Sequence, residues 1–121
     1  MSQTWTGSRY IAATLKAYGI THVFFVDAIL RRALMEMEKL DITRVLTHSE
    51  KAAAYMADGY ARAAGRPGVC MAQSVGAANL ASGLQEPFLG RAPVVALTGR
   101  AALVAQRRHA YQEIEIGRAH V

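Results

Sequence analysis

Short runs of consecutive apolar residues alternate along this chain with longer stretches in which apolar residues recur every three or four positions. The first kind of pattern suits strands buried on both faces of a parallel sheet; the second suits amphipathic helices. Thr6 or Ser8 can cap a first helix running to Tyr18, with Ile11, Leu15 and Tyr18 on one face and Gly19 ending it. His22 to Val26 then reads as the first strand. Asp27 is placed to cap a second helix bearing Leu30, Ala33, Leu34, Met37 and Leu40, with Arg32 and Glu36 paired on its outer side. Thr43 to Thr47 is the second strand and leads directly to Glu50.

From Glu50 the chain reads as a third helix with an apolar stripe at Ala53, Met56, Ala57, Tyr60 and Ala64. Lys51, Asp58 and Arg62 fall on its other side, Asp58 four residues before Arg62 in the favourable ion-pair order. Gly65 and Pro67 stop this helix, and Gly68 to Ala72 begins a third strand. Gln73 to Gly76 turns into a fourth helix from Ala77 to about Glu86. Pro87 is expected to break it, since an interior proline costs about 3 kcal/mol. Pro93 to Thr98 is the last strand. Helices alternating with short β-branched strands predict an α/β fold, a parallel sheet flanked by helices, in one domain over residues 1–114. Residues 115–121 show no periodicity and are expected to be a non-native tail translated from adapter sequence, the native chain being lost near Gln112 to Ile114.

Composition narrows the class. With 121 residues, 52% hydrophobic and 19% charged, the chain can fold as one modest globular domain. No apolar run approaches the ~20 residues of a membrane span, and the start, MSQTWTGSRYI, lacks an apolar signal core. A cytoplasmic protein is the expectation. The single cysteine, Cys70, excludes an internal disulfide and sits in an apolar run as a small core residue. The net charge of +5 could suggest nucleic acid. The basic residues are spread out among acids, however, and only Arg100, Arg107, Arg108 and Arg118 cluster, so neither nucleic acid nor membrane is expected as a partner. One cysteine and four histidines make no metal site, and no G-x-G-x-x-G follows a strand.

The chemistry-bearing stretch is LTHSEKAAAYMADGYARAAGRPGV, residues 46–69. Read from the residues alone, Thr47-His48-Ser49-Glu50 fits a capping box in which the glutamate serves only a helix-end amide. The whole stretch strongly resembles the pyrimidine-binding domain of thiamine diphosphate enzymes of the acetolactate synthase and benzoylformate decarboxylase group. There a catalytic glutamate is followed by small residues and then M-A-x-G-Y-A-R, matched here by Glu50, Met56, Ala57, Gly59, Tyr60, Ala61 and Arg62. The resemblance covers most of residues 8–114. It implies that Glu50 is catalytic: it hydrogen-bonds a ring nitrogen of the cofactor's aminopyrimidine and favours the imino tautomer that removes the thiazolium carbon's proton. A carboxyl in that role must hold a proton near neutral pH and so needs a dry pocket, against the pull of a helix amino terminus toward the carboxylate.

Gln73 to Asn79, QSVGAAN, looks like the family's S-G-P-G-A-x-N turn, with Ser74 and Val75 in place of Gly and Pro. The resemblance makes Gly76 and Asn79 cofactor contacts beside Glu50. Asp27-Ala28 stands where the family often has Pro-Gly. Tyr111-Gln112-Glu113 resembles a family F-Q-E element and adds Gln112 to the cofactor contacts. His48 and His109 are further acid–base candidates against the plainer reading of solvated loop histidines. The resemblance implies thiamine diphosphate as cofactor. Mg²⁺ is expected through the family's diphosphate-binding domain, whose Gly-Asp-Gly motif is missing from this sequence. The partner implied is that domain of a second subunit, in a homo-oligomer, dimer or tetramer. Three readings stay open: a fragment of such an enzyme acting on 2-oxo acids by carboligation or decarboxylation, itself inactive; a small pyrimidine-domain subunit of a two-chain decarboxylase; and a non-enzymatic α/β interaction module in which Glu50 is only a cap.

Overall fold

A computed structural model describes residues 4–27 and 30–114. The proposed tail, 115–121, and Ala28 lie outside the described residues. Helix α1 (Gly7–Ala17) starts where the Thr6 hydroxyl accepts the Arg9 amide at 3.2 Å, and the chain turns away at Gly19, φ 74°. Strand β1 (His22–Phe25), helix α2 (Arg31–Glu38), strand β2 (Thr43–Leu46), helix α3 (Glu50–Ala64), strand β3 (Gly68–Gln73), helix α4 (Ser74–Leu89) and strand β4 (Val94–Gly99) follow in turn. A 3₁₀ turn at Leu103–Ala105 leads into an irregular segment.

All strand pairs are parallel, in the order β2-β1-β3-β4. The chain steps outward from β1 to β2, jumps back across β1 to β3, and continues to β4. Because parallel crossovers are right-handed, this reversal puts α2 on one face of the sheet and α3 and α4 on the other. Alternate residues of the central strands serve the two faces. Val23, Val69 and Met71 join α1 and α2 in one core; Phe24, Cys70 and Ala72 join α3 and α4 in the other. The reversal point lies between β1 and β3, and the crevice at the carboxyl ends of such strands is where open α/β sheets bind ligands.

Several local expectations are corrected. Helix α4 runs through Pro87, which is buried, to Leu89. The proline sits in the last turn, so one ladder bond is lost; the Gly90 amide closes the end on the Glu86 carbonyl at 2.8 Å, and the Pro87 carbonyl accepts Ala92 N–H at 2.9 Å. Helix α2 begins after Leu30 without a side-chain cap, and Asp27 instead pairs with Arg31 at 3.0 Å. Glu36 pairs with Lys39 at 2.6 Å and not with Arg32. Tyr18 is exposed at the rim of an apolar groove of about 430 Å³ formed with Ile11, Leu15, Val95 and Leu97. On α3 the buried residues are Ala53, Ala54, Ala57, Asp58 and Ala61, while Met56 and Ala64 are exposed. Asp58 is thus buried beside its partner Arg62, 2.8 Å away. No helix among the described residues is long and apolar enough to cross a membrane.

Candidate functional site

The site grows out of the turn between β2 and α3. The buried Thr47 ties this turn to the sheet: its amide donates to the Phe25 carbonyl at 2.8 Å, and its hydroxyl lies 3.1 Å from the same carbonyl and 2.8 Å from the Ser49 carbonyl. Ser49 then caps α3, accepting the Ala52 amide at 3.2 Å. Glu50 follows as the first helical residue. With the Thr47 amide already bonded to Phe25, the glutamate does not close a capping box. Its side chain reaches across to α4 instead.

There it meets two residues three positions apart in the first two turns of α4, which therefore share a face. The Asn79 side-chain amide donates to Glu50 Oε2 at 3.2 Å. The carboxyl group lies against the α-carbon of Gly76, where a Cβ would come within 2.6 Å of Oε1 and 3.1 Å of Cδ. Oε1 takes no hydrogen bond among the described residues. The half-buried carboxyl is thus clamped on one oxygen and open on the other. Two residues before Gly76, Ser74 is buried and its hydroxyl has no partner among the described residues. It was missed in the sequence because a small polar residue at a strand–helix junction ordinarily signals a cap; here Gln73 occupies the cap position without a side-chain bond.

The close approach of α3 and α4 is what brings these groups together. At Gly83, two turns after Gly76, a Cβ would lie 2.7 Å from the Ala54 methyl and 2.8 Å from the Lys51 carbonyl. At Gly68 a Cβ would fall inside the Ala57 carbonyl group, so α3 rests directly on the start of β3. Glycine at these points lets backbones touch, and the helix pair holds Glu50 over Gly76.

The other expected residues are not drawn into this cluster. Gln112 is half-buried with φ 58°, its Oε1 lacks a partner, and no hydrogen bond joins it to Glu50, Gly76 or Asn79 among the described residues. His48 is exposed in the turn before α3. His109 is exposed in a polar cleft with Arg100, Arg107 and Glu113, away from the α3–α4 junction. In that cleft the Glu113 carboxylate accepts the backbone amides of Arg107, Arg108 and Ala110, with Arg100 3.8 Å away. The Arg107 amide is the main cause holding Glu113 below the usual carboxylate range, and the other two amides and Arg100 add to it. Among the described residues no group of three or more His, Cys, Asp or Glu could hold a metal ion.

A carboxyl oxygen without a hydrogen bond, beside a glycine backbone, can take the polar edge of a flat ring. Glu50, Gly76 and Asn79 include no cation, so the cluster suits a polar, uncharged group better than a polyanion. Comparison with known proteins supplies the family. The family model of the thiamine pyrophosphate enzyme, N-terminal TPP binding domain, matches residues 5–119. The chain is 36% identical to an acetolactate synthase of Arthrospira platensis, over 92% of this chain and 20% of that protein. It is 34% identical to acetolactate synthase isozyme 2 large subunit of Escherichia coli, over 91% of this chain and 20% of that protein. It is 39% identical to acetolactate synthase 2, chloroplastic, of Nicotiana tabacum, over 91% of this chain and 17% of that protein. The chain thus spans about a fifth of the length of these curated relatives.

Proposed function

Because the chain belongs to the family of thiamine pyrophosphate enzyme N-terminal binding domains, we propose that it supplies the aminopyrimidine half of a thiamine diphosphate site. The parent protein is a lyase or transferase that makes or breaks a carbon–carbon bond next to the carbonyl of a 2-oxo acid, as the names of its relatives suggest. The observation that carries this reading is the Glu50 carboxyl, held on Oε2 by Asn79 and left open on Oε1 beside Gly76.

When bound, thiamine diphosphate supplies the acidic carbon that attacks the substrate carbonyl. Glu50 would meet a ring nitrogen of the aminopyrimidine through its open oxygen and exchange a proton with it. Gly76, which has no side chain, would leave the room in which the Glu50 carboxyl sits. The diphosphate and its Mg²⁺ would be held by a diphosphate-binding domain of a second subunit, so the active assembly is a homo-oligomer.

A segment exchange tests this. Residues 5–114 replace the matching segment of the E. coli isozyme 2 large subunit, and deuterium exchange at the thiazolium carbon of bound thiamine diphosphate is followed. Glu50→Gln keeps the shape but cannot exchange the proton, so exchange should slow by roughly 10²–10⁴-fold, the usual range for losing a general acid–base group. Unchanged exchange in Glu50→Gln would remove Glu50 from the chemistry.

A further inference from the structure

The Glu50–Asn79 contact has a direction that decides where a proton can sit. We propose that Asn79 is a positioning residue that fixes which oxygen of the Glu50 carboxyl carries the proton, and that Gly76 leaves the space in which this arrangement fits; the proposal rests on the reading of Glu50 given above. The sequence resemblance suggested direct cofactor contacts for both residues. The geometry assigns them instead to the glutamate.

The amide nitrogen of asparagine only donates. Its bond to Oε2 makes Oε2 an acceptor in either charge state of the carboxyl. When the carboxyl is neutral, the better acceptor is the carbonyl-type oxygen, so Oε2 takes that character and the hydroxyl proton belongs on Oε1. Oε1 is the oxygen with no hydrogen bond among the described residues. It is also the one seated against the Gly76 α-carbon, where a Cβ would come within 2.6 Å. A ring nitrogen that reached Oε1 would meet the O–H there. Glu50 would give its proton from Oε1 to that nitrogen, keep the electron pair as a carboxylate, and still be held by Asn79 on Oε2. Without Asn79 the proton is free to occupy either oxygen, and half of the arrangements present a bare acceptor to the ring.

The clamp spans two elements. Glu50 opens α3 and Asn79 lies 29 residues later on the second turn of α4. Its geometry is therefore set by the α3–α4 approach at Gly83 and not by local chain stiffness. Asn79 itself is exposed, so replacing it should leave the fold intact.

Infrared difference spectroscopy on the full 121-residue chain reads the clamp directly. At a pH low enough to keep carboxyls neutral, subtraction of the Glu50→Gln spectrum isolates the Glu50 C=O stretch. In Asn79→Ala this band should move to higher frequency, because its carbonyl oxygen loses a donor. An unmoved band would overturn the proposal. In the segment-exchange protein, Asn79→Ala should slow thiazolium exchange at saturating cofactor by about tenfold, the effect of one hydrogen bond lost in the reacting state, with cofactor affinity unchanged. A matching loss of affinity would mean that Asn79 touches the cofactor itself and would overturn the positioning role. Adding Asn79→Ala to Glu50→Gln should bring no further slowing, since the two act as one unit; an additive effect would also count against the proposal. The infrared arm needs no cofactor, so a moved band with normal exchange in Glu50→Gln would sink the cofactor reading and leave the clamp standing.

Discussion

On the face covered by α1 and α2 the sheet meets Ile20, Leu34, Met37 and Ile42, all buried; on the face covered by α3 and α4 it meets Ala53, Ala54 and Ala57, with Leu80 as the large helix side chain fully buried in that core opposite the sheet's own Phe24. The first face fills its volume with branched and flexible side chains. The second brings backbones into contact at Gly68 and Gly83, and at Gly76 seats the Glu50 carboxyl against bare backbone. Bulky packing tolerates small shifts because side chains can re-adjust. Backbone contact does not, and it is the second face that carries the Glu50 clamp. One face supplies burial; the other fixes atoms in place.

That contrast can be broken by substitution. The largest effect is expected on the bulky face: Met37 is fully buried, and Met37→Ala should destabilise by about 2–5 kcal/mol through the cavity it leaves. On the close-packed face the opposite change does the damage. Gly83→Ala should cost about 1–3 kcal/mol, because the new methyl meets the Lys51 carbonyl and the Ala54 side chain and drives the helices apart. The same substitution on the outer side of α3 should have the opposite sign. Gly59 is exposed in mid-helix with nothing within 4 Å of an added Cβ, so Gly59→Ala should stabilise by about 0.4–1 kcal/mol. Denaturant unfolding of the three variants measures all of this; equal effects of Gly83→Ala and Gly59→Ala would erase the distinction between the faces.

The smallest effect should lie outside both faces. Glu113 has its folded-state affinity for protons lowered, first by the Arg107 amide, so its contribution is present above its unfolded pKa and lost as pH falls through the folded value. Acidification should therefore release the amides of Arg107, Arg108 and Ala110 to hydrogen exchange while those of β1 and β3 stay protected. Simultaneous loss of protection in the strands would show that the segment is not separable from the sheet.

Much of the fold was legible because its boundaries are written in local chemistry. Thr6, Gly19 and Gly65 act where their side chains, or lack of them, predict. The apolar runs mark the strands to within a residue or so. The face of α3 was misread for a physical reason. In a helix this rich in alanine, hydrophobic periodicity carries little information, and Met56 outweighs the small residues that do the packing. Asp58 could be buried because Arg62 lies one turn on; the pairing was visible, its depth was not. Pro87 reads as a breaker because an interior proline outweighs the stop signal of Gly90 three residues on, while in the structure the proline falls in the last turn. Glu50, Gly76 and Asn79 could be named from their spacing, yet the contact that joins them depends on how two helices approach. Gln112 lies on a segment without regular structure, where spacing gives no position at all.

Cys70 stands in the middle of β3, beneath the layer that α3 lays over the sheet. It is fully buried, and burial pushes its thiol up to about 11, so at neutral pH it stays protonated and shielded from reagents. It is also the only cysteine in the chain. Alkylation must therefore wait for the small-residue layer to lift. When reclosing outpaces labelling, the rate of modification is proportional to the open fraction. The chain thus carries its own chronometer: a single chemical trap, wound into the central strand, that counts how often the layer holding Glu50 comes away from the sheet.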